Sequence, residues 1–182
     1  MVQVNALTAA PATLNGTADK VPVYDASAGV LTQVTVQQLT ARAYGDIKLA
    51  AATAAQTLST SFAKLTVFDA TTASYGVTVA GDFDAITVAQ AGIYEIHFHC
   101  NFSSDASKTI SFALSVGGTE DVDSQTVQVV TSGATNIVSA SFHVLKSLAA
   151  SDVITIEAKT HASTPELTFN NIDLVIKKID EA

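Results

Sequence analysis

Residues 82 to 102 decide the fold, and they read Asp-Phe-Asp-Ala-Ile-Thr-Val-Ala-Gln-Ala-Gly-Ile-Tyr-Glu-Ile-His-Phe-His-Cys-Asn-Phe. This stretch joins a short apolar strand to a long alternating one. Successive side chains of a strand point to opposite faces of the sheet. We therefore predict that one face of the long strand lies in the core and that the opposite face is unusually polar. The core face has Tyr94, Ile96, Phe98, Cys100 and Phe102. The polar face has Glu95, His97, His99 and Asn101.

The chain after residue 50 repeats this alternation in further strand-like segments. Turn signals such as Gly117-Gly118 and Ser132-Gly133 separate the segments at a spacing typical of an all-β sandwich. We predict an antiparallel jelly-roll sandwich of about eight strands in two packed sheets. The predicted inward-facing positions are Ile110, Phe112, Leu114, Val116, Val138, Ala140, Phe142, Val144, Ile154, Ile156, Ala158, Ile172, Leu174 and Ile176.

Two segments carry a resemblance to a known family. Gly92-Ile93-Tyr94 opens a long strand directly after an Ile/Val strand, and residues 139 to 156 run through a strand, a Leu-x-Leu turn, small residues, Asp152 and an apolar strand. The chain resembles the complement-globular-head and tumour-necrosis-factor-like jelly rolls over roughly residues 56 to 180. Ser151 stands where that family usually has glycine. The resemblance implies a compact homotrimer whose last strand returns through the middle of one sheet.

Composition also favours association between subunits. The 182 residues suffice for one domain of ordinary size with an extension. Hydrophobic residues make up 48% and charged residues only 14%, so the surface is poorly suited to remaining alone in water. We therefore expect part of it to be buried between copies of the chain.

Charge and motifs exclude several classes of function. The net charge of -8 and the lack of any Lys/Arg cluster argue against nucleic-acid binding. No apolar run reaches the length of a membrane span, and Met1 to Asn5 lack the features of a signal peptide, so we expect synthesis in a cytoplasm. Cys100 is the single cysteine and is predicted to be buried and inert.

Residues 1 to 48 form a predicted N-terminal docking arm, and residues 49 to 182 form the predicted jelly roll. Tyr24 to Leu31 suggests a hairpin, and a capping-box spacing at Thr35 to Gln38 suggests a short helix to about Ala43. The segment from Asp19 to Leu39 resembles leader segments of bacteriophage fibre and virion-surface proteins. The predicted partner is the major capsid protein or another virion component, and the predicted contact residues are Val21, Val23, Tyr24, Leu31, Val34 and Leu39.

The sequence contains no familiar catalytic motif, and we predict no enzyme activity and no catalytic, cofactor or metal residue. Glu95, His97 and His99 are predicted to lie at the trimer interface. A threefold axis could gather them into a ring that holds a metal or an anion, but hydrogen bonds at a polar interface are the favoured interpretation. His143 and His161 have no partner that the sequence can name. Residues 120 to 123 are interpreted as a solvated acidic hairpin tip rather than a calcium site.

Two functions follow from these patterns. The first is a phage virion structural protein, a trimeric capsid decoration or cement protein that docks through its arm and stabilises the head. The predicted location is then the virion surface, after synthesis in the host cytoplasm. The alternative is a tail-fibre or receptor-binding knob that recognises a glycan or protein of the host surface. The chain has no Trp and four Tyr, which gives little support to the alternative.

Overall fold

The computed structural model describes the backbone of residues 20–25 and 30–35 and the whole of residues 42–180. The chain divides into two compact units, residues 1–41 and residues 42–182, which are described separately.

The smaller unit contains an antiparallel pair of strands, β1 (Lys20–Asp25) and β2 (Val30–Thr35). Val21 lies opposite Val34 in this pair, and Tyr24 lies opposite Leu31. The predicted turn falls on residues 26–29 and most of the predicted short helix falls on residues 36–41, which lie outside the described residues.

The larger unit is a sandwich of two six-stranded sheets, and every strand pair in it is antiparallel. The first sheet has the order β12-β9-β14-β3-β6, with β4 also paired to β14. The second has the order β11-β10-β13-β8-β7, with β5 also paired to β13. The all-β jelly-roll prediction is confirmed. The strands are β3 (Tyr44–Lys48), β4 (Ala54–Thr57), β5 (Ala63–Lys64), β6 (Ser74–Tyr75), β7 (Val77–Val79), β8 (Ile86–Val88), β9 (Gly92–Ser104), β10 (Lys108–Val116), β11 (Thr119–Val130), β12 (Val138–Leu148), β13 (Val153–Thr160) and β14 (Glu166–Asp180).

The core lies between the sheets and has an aromatic centre. Phe112 of β10 projects from the second sheet and meets three rings of the first, with centroid distances of 5.7 Å to Phe98, 5.2 Å to Phe102 and 6.4 Å to Phe169. All four side chains are buried. The alternation predicted for β9 is correct, because Tyr94, Ile96, Phe98, Cys100 and Phe102 are all buried. Burial also raises the pKa of the Cys100 thiol, which keeps it protonated and unreactive.

The sandwich begins earlier than residue 49. Strand β3 spans residues 44–48, pairs with β14 and belongs to the larger unit rather than to the arm. Its side chains alternate, so that Gly45 and Ile47 are buried while Tyr44 is exposed. Ile47 is the only large apolar residue on the inward face of this short strand, which is too little alternation to identify a strand from sequence.

Gly92 lets β14 approach the start of β9 closely. A Cβ built on Gly92 would lie 2.6 Å from the backbone oxygen of Asp180 and would also clash with the Lys178 side chain. This contact gives a physical reason for glycine in the Gly-Ile-Tyr sequence that opens the strand.

We expect Gly92→Ala to lower the free energy of unfolding by about 1–3 kcal/mol, the usual cost of overpacking. Gly81→Ala is the matched control, since no atom lies within 4 Å of a Cβ built there. Urea denaturation of both variants measures the difference. Equal stability of the two variants would show that β14 moves aside without cost.

Candidate functional site

The exposed face of the first sheet is the most distinctive surface of the larger unit. Strand β9 lies between β12 and β14, and its polar residues point away from the core. The strand register places His97 directly opposite His143 of β12 on one side and Val175 of β14 on the other. Glu95 lies in the neighbouring row, opposite Leu145 and Lys177.

Glu95, His97 and His143 form a compact group, here called the His-Glu cluster. Oε1 of Glu95 lies 3.3 Å from Nε2 of His97 and 3.2 Å from Nε2 of His143. The two imidazole rings are stacked, with centroids 4.1 Å apart and an interplanar angle of 15°. One carboxylate oxygen therefore lies within contact distance of both imidazoles. All three side chains remain accessible to solvent.

The histidines determine how Glu95 titrates. A hydrogen bond from His97 lowers the pKa of the Glu95 carboxyl, and the charges of His97, His143 and Lys177 lower it further. Hydrogen bonding and positive charge both favour the carboxylate over the neutral acid. Glu95 thus remains an anion, and an available oxygen ligand, to lower pH than an ordinary glutamate.

His99 belongs to a different group on the same face. Its Nδ1 lies 3.2 Å from Oδ1 of Asn171 and 3.9 Å from Oδ2 of Asp173, both on β14. Burial raises the pKa of the Asp173 carboxyl, and the charge of His99 partly offsets this effect. The structure therefore separates His99 from Glu95 and His97, which the sequence had grouped together, and brings in His143 instead. Only the pairing register of β9 with β12 could have identified His143.

We expect the two carboxyls to titrate in opposite directions from their ordinary values. Glu95 should titrate low, so its stabilising contribution is present above the unfolded-state pKa and is lost as pH falls through the folded-state pKa. Asp173 should titrate high, so stability declines as pH rises from its unfolded-state pKa through its folded-state value. Carboxyl carbon NMR measures both values. In His97→Gln the Glu95 pKa should rise and the Asp173 pKa should change less; an unchanged Glu95 pKa would exclude the His97 hydrogen bond as its main cause.

Apolar and aromatic side chains share this face with the polar groups. Tyr44 of β3 and Tyr75 of β6 are stacked at a centroid distance of 6.2 Å, and both are exposed. Val175 is 39% exposed beside the His-Glu cluster, and Leu145 is exposed at the edge strand β12. The face is thus a mixed surface rather than a purely polar one.

Further apolar side chains that are exposed or only partly buried lie on the edge strands β11 and β12. Those of β11 are on the outward face of the second sheet, because Val127 lies opposite Ser111 whereas Thr126 lies opposite the inward-facing Phe112. Val129 is 73% exposed on β11, and Val127 beside it is also exposed. On β12, Val138, Phe142 and Val144 pack against the core but are only partly buried. Phe142, whose ring centroid is 5.0 Å from that of Phe98, is therefore a core residue that the subunit alone does not cover.

Two other groups suggested by chemistry do not form accessible sites. Ser111 Oγ lies 2.8 Å from His161 Nε2, which resembles a nucleophile and its base, but Ser111 is fully buried and cannot meet a substrate in this conformation. The predicted acidic hairpin tip at residues 120–123 is part of strand β11, and Asp121 forms an ion pair with Lys146 at 2.7 Å. That pairing uses the carboxylate that a calcium ion would need.

The predicted docking residues lie mainly in the smaller unit. Val21, Val23 and Tyr24 are in β1, and Leu31 and Val34 are in β2, while Leu39 lies outside the described residues. Their docking role stays a prediction. Among the described residues, no helix has both the length and the apolar character needed to cross a bilayer.

Solved structures of tumour-necrosis-factor and complement-head domains are similar to this chain. Eiger TNF from S. frugiperda has a TM-score of 0.52 at 12% identity, covering 78% of this chain and 94% of its own. The structure of murine APRIL at pH 5.0 has a TM-score of 0.50 at 12% identity, and the match covers 76% of this chain and 99% of the APRIL chain. The globular domain of the zebrafish complement 1qA protein has a TM-score of 0.50 at 11% identity, and the match covers 75% of this chain and 96% of the zebrafish chain. No family model matches the chain, and no curated protein does.

These similarities establish the fold. The resemblance inferred from Gly92-Ile93-Tyr94 and from residues 139 to 156 is confirmed at the level of a jelly roll. At identities of 11 to 12% these similarities show the fold and not the function, which has to be inferred from the surfaces of this chain.

Proposed function

We propose that the larger unit is a non-enzymatic assembly module that forms a homotrimer. The observation that carries this proposal is the incompletely covered side between β11 and β12, where Phe142 touches the core yet is only partly buried. Partly exposed core residues together with exposed valines are typical of a surface that another chain covers.

The partner surface in a neighbouring copy is the exposed face of the first sheet. A closed ring of three identical subunits requires a heterologous interface, in which two different surfaces of the chain meet. The edge side around Val129 supplies one surface, and the face around Val175 and the stacked Tyr44 and Tyr75 supplies the other. Tyrosines and valines would provide most of the buried apolar area, and Glu95, His97 and His99 would then lie at the interface as the sequence predicts.

Within this class we propose a virion-surface role, a capsid decoration or cement protein docked through the N-terminal segment. The support is the resemblance of residues 19 to 39 to phage virion leader segments and the antiparallel strand pair found there. Three arms on one trimer would bind a repetitive particle surface more tightly than one arm. The second candidate remains a fibre or receptor-binding knob, for which the exposed Tyr44 and Tyr75 pair is the favouring observation.

The trimer proposal predicts that Val175→Lys and Val129→Lys each yield monomers. Every interface contains one face and one edge, so a lysine on either surface places a charge in all three interfaces. Val153→Lys on β13 is the matched control, since Val153 is 38% exposed against 39% for Val175 and β13 is an interior strand of the second sheet, separated from the edge strand β11 by β10. Light scattering after size-exclusion chromatography measures the masses. Wild-type protein that is monomeric at working concentrations would overturn the proposal.

A mixing experiment tests the heterologous geometry directly. Val175→Lys retains an intact edge and Val129→Lys retains an intact face, so an equimolar mixture can form a single good interface. We expect heterodimers in that mixture and monomers in either sample alone, detected by native mass spectrometry. Monomers in the mixture would show that the two surfaces do not meet.

Immunogold electron microscopy of particles from the source culture tests the virion role. Label scattered over heads is the expected result for a decoration protein. Label confined to tails would favour the knob, and unlabelled particles would exclude both virion locations.

A further inference from the structure

We propose that the His-Glu cluster is a binding site for one divalent metal ion of the zinc type in each chain. The site consists of Nε2 of His97, Nε2 of His143 and a carboxylate oxygen of Glu95. These three atoms all lie within 4.8 Å of one another. All three ligands come from one chain, but they lie on the face that the proposed trimer covers, so the titration below is made on the monomeric Val129→Lys variant as well as on the wild type.

The spacing of the ligand atoms fits a tetrahedral ion. Zinc binds imidazole nitrogen and carboxylate oxygen at about 2.0–2.2 Å, which places neighbouring tetrahedral ligands about 3.3 Å apart. The two oxygen–nitrogen separations are 3.3 Å and 3.2 Å. The two rings are stacked at an interplanar angle of 15°, so both imidazoles must rotate before their Nε2 lone pairs can point at one ion.

The ligand types select the class of ion. Two imidazoles and one carboxylate suit zinc and its neighbours in the transition series, whereas calcium and magnesium prefer sites built from oxygen alone. Three protein ligands leave a fourth tetrahedral position for water, which is accessible in the single chain because all three side chains reach solvent there.

The sheet supports the ligands rigidly. Glu95 and His97 are on one face of β9 two residues apart, and the β9–β12 register holds His143 opposite His97. The backs of both strands pack into the core through Ile96, Phe98 and Phe142. Ligands fixed by a sheet lose little conformational freedom when the metal binds, which favours affinity.

The sequence grouped Glu95 and His97 with His99, and hydrogen bonds at a subunit interface were favoured over a metal held on a threefold axis. On the structure His99 contacts Asn171 and Asp173 instead. With His143 as the third ligand, the site is complete within one subunit. The grouping with His99 would instead require residues from three subunits around a threefold axis. The two hypotheses predict different stoichiometries.

Titration of tag-free protein with cobalt(II), which reports tetrahedral coordination by its visible absorption, tests the site. We expect one ion per chain, displacement by zinc, and at least about tenfold weaker binding in His143→Ala and in Glu95→Gln. His99→Ala is the matched control and should bind like the wild type, because it removes a histidine of the same strand face without touching the cluster. Circular dichroism checks that each variant is folded.

Thermal unfolding gives an independent readout. Zinc should raise the melting temperature of the wild type and of His99→Ala, because an ion that binds only the folded state stabilises it, and it should not raise that of His143→Ala. One ion per three chains, loss of binding in His99→Ala, unchanged binding in His143→Ala, or no tetrahedral cobalt spectrum with excess metal would each overturn the proposal.

Discussion

Phe112→Ala is expected to lower the free energy of unfolding by about 3–5 kcal/mol, enough to threaten the folded state of an ordinary domain. Phe112 is the side chain of the second sheet that reaches Phe98, Phe102 and Phe169 of the first. Truncation removes its buried area and leaves a cavity bordered by three rings. The surrounding sheets cannot close this cavity, because both are held by long strand pairings.

Phe62→Ala is the matched control for that substitution. Phe62 is only partly buried, and its ring lies 4.3 Å from Lys159 Nζ in a cation–π contact. Loss of such a contact at an exposed site costs about 0.5–1 kcal/mol. Urea denaturation of both variants gives the comparison. If Phe112→Ala cost no more than Phe62→Ala, the two sheets would not be held together by this aromatic centre.

The sequence predicted those parts of the fold in which alternation runs long enough to be unambiguous. Strands β9, β10 and β14 have between 9 and 15 residues, and in each of them the large apolar side chains occupy alternate positions, so their inward faces could be assigned from the pattern. Strands β5 and β6 have two residues each, and two residues cannot show a period. Their positions follow from pairing with β13 and β3, which is long-range information.

The candidate site shows the same limit. Glu95 and His97 could be placed on one face because they belong to one strand. His143 could not be added, since a shift of one residue in the β9–β12 register would have turned it to the other face or away from His97. Likewise His99 could be placed on the face, but its partners Asn171 and Asp173 come from β14, more than 70 residues away along the chain.

Under the proposed trimer and docking roles, removal of residues 1–41 is expected to leave the sandwich folded and self-associating and to abolish attachment to the particle. The cut must end there, because the larger unit begins immediately afterwards. Ala43 is fully buried, and its backbone oxygen accepts a hydrogen bond of 2.7 Å from the Lys178 amide. Circular dichroism, light scattering and co-sedimentation with particles that lack the protein measure folding, oligomeric state and attachment in turn.

Removal of residues 1–49 is the contrasting variant, and it should fail to fold. It deletes β3, which pairs with β14, and with it the buried side chains of Ile47 and of Leu49 just after the strand, each worth about 1.5–3 kcal/mol. It also removes the Asp46 carboxylate that accepts hydrogen bonds from the amides of Thr72 and Ala73. The total loss is comparable with the whole stability of a typical domain, about 5–15 kcal/mol. The two deletions differ by only eight residues, and the proposed docking role predicts that the shorter one yields folded protein and the longer one does not. An unfolded product from the shorter deletion would mean that residues 1–41 stabilise the sandwich rather than attach it.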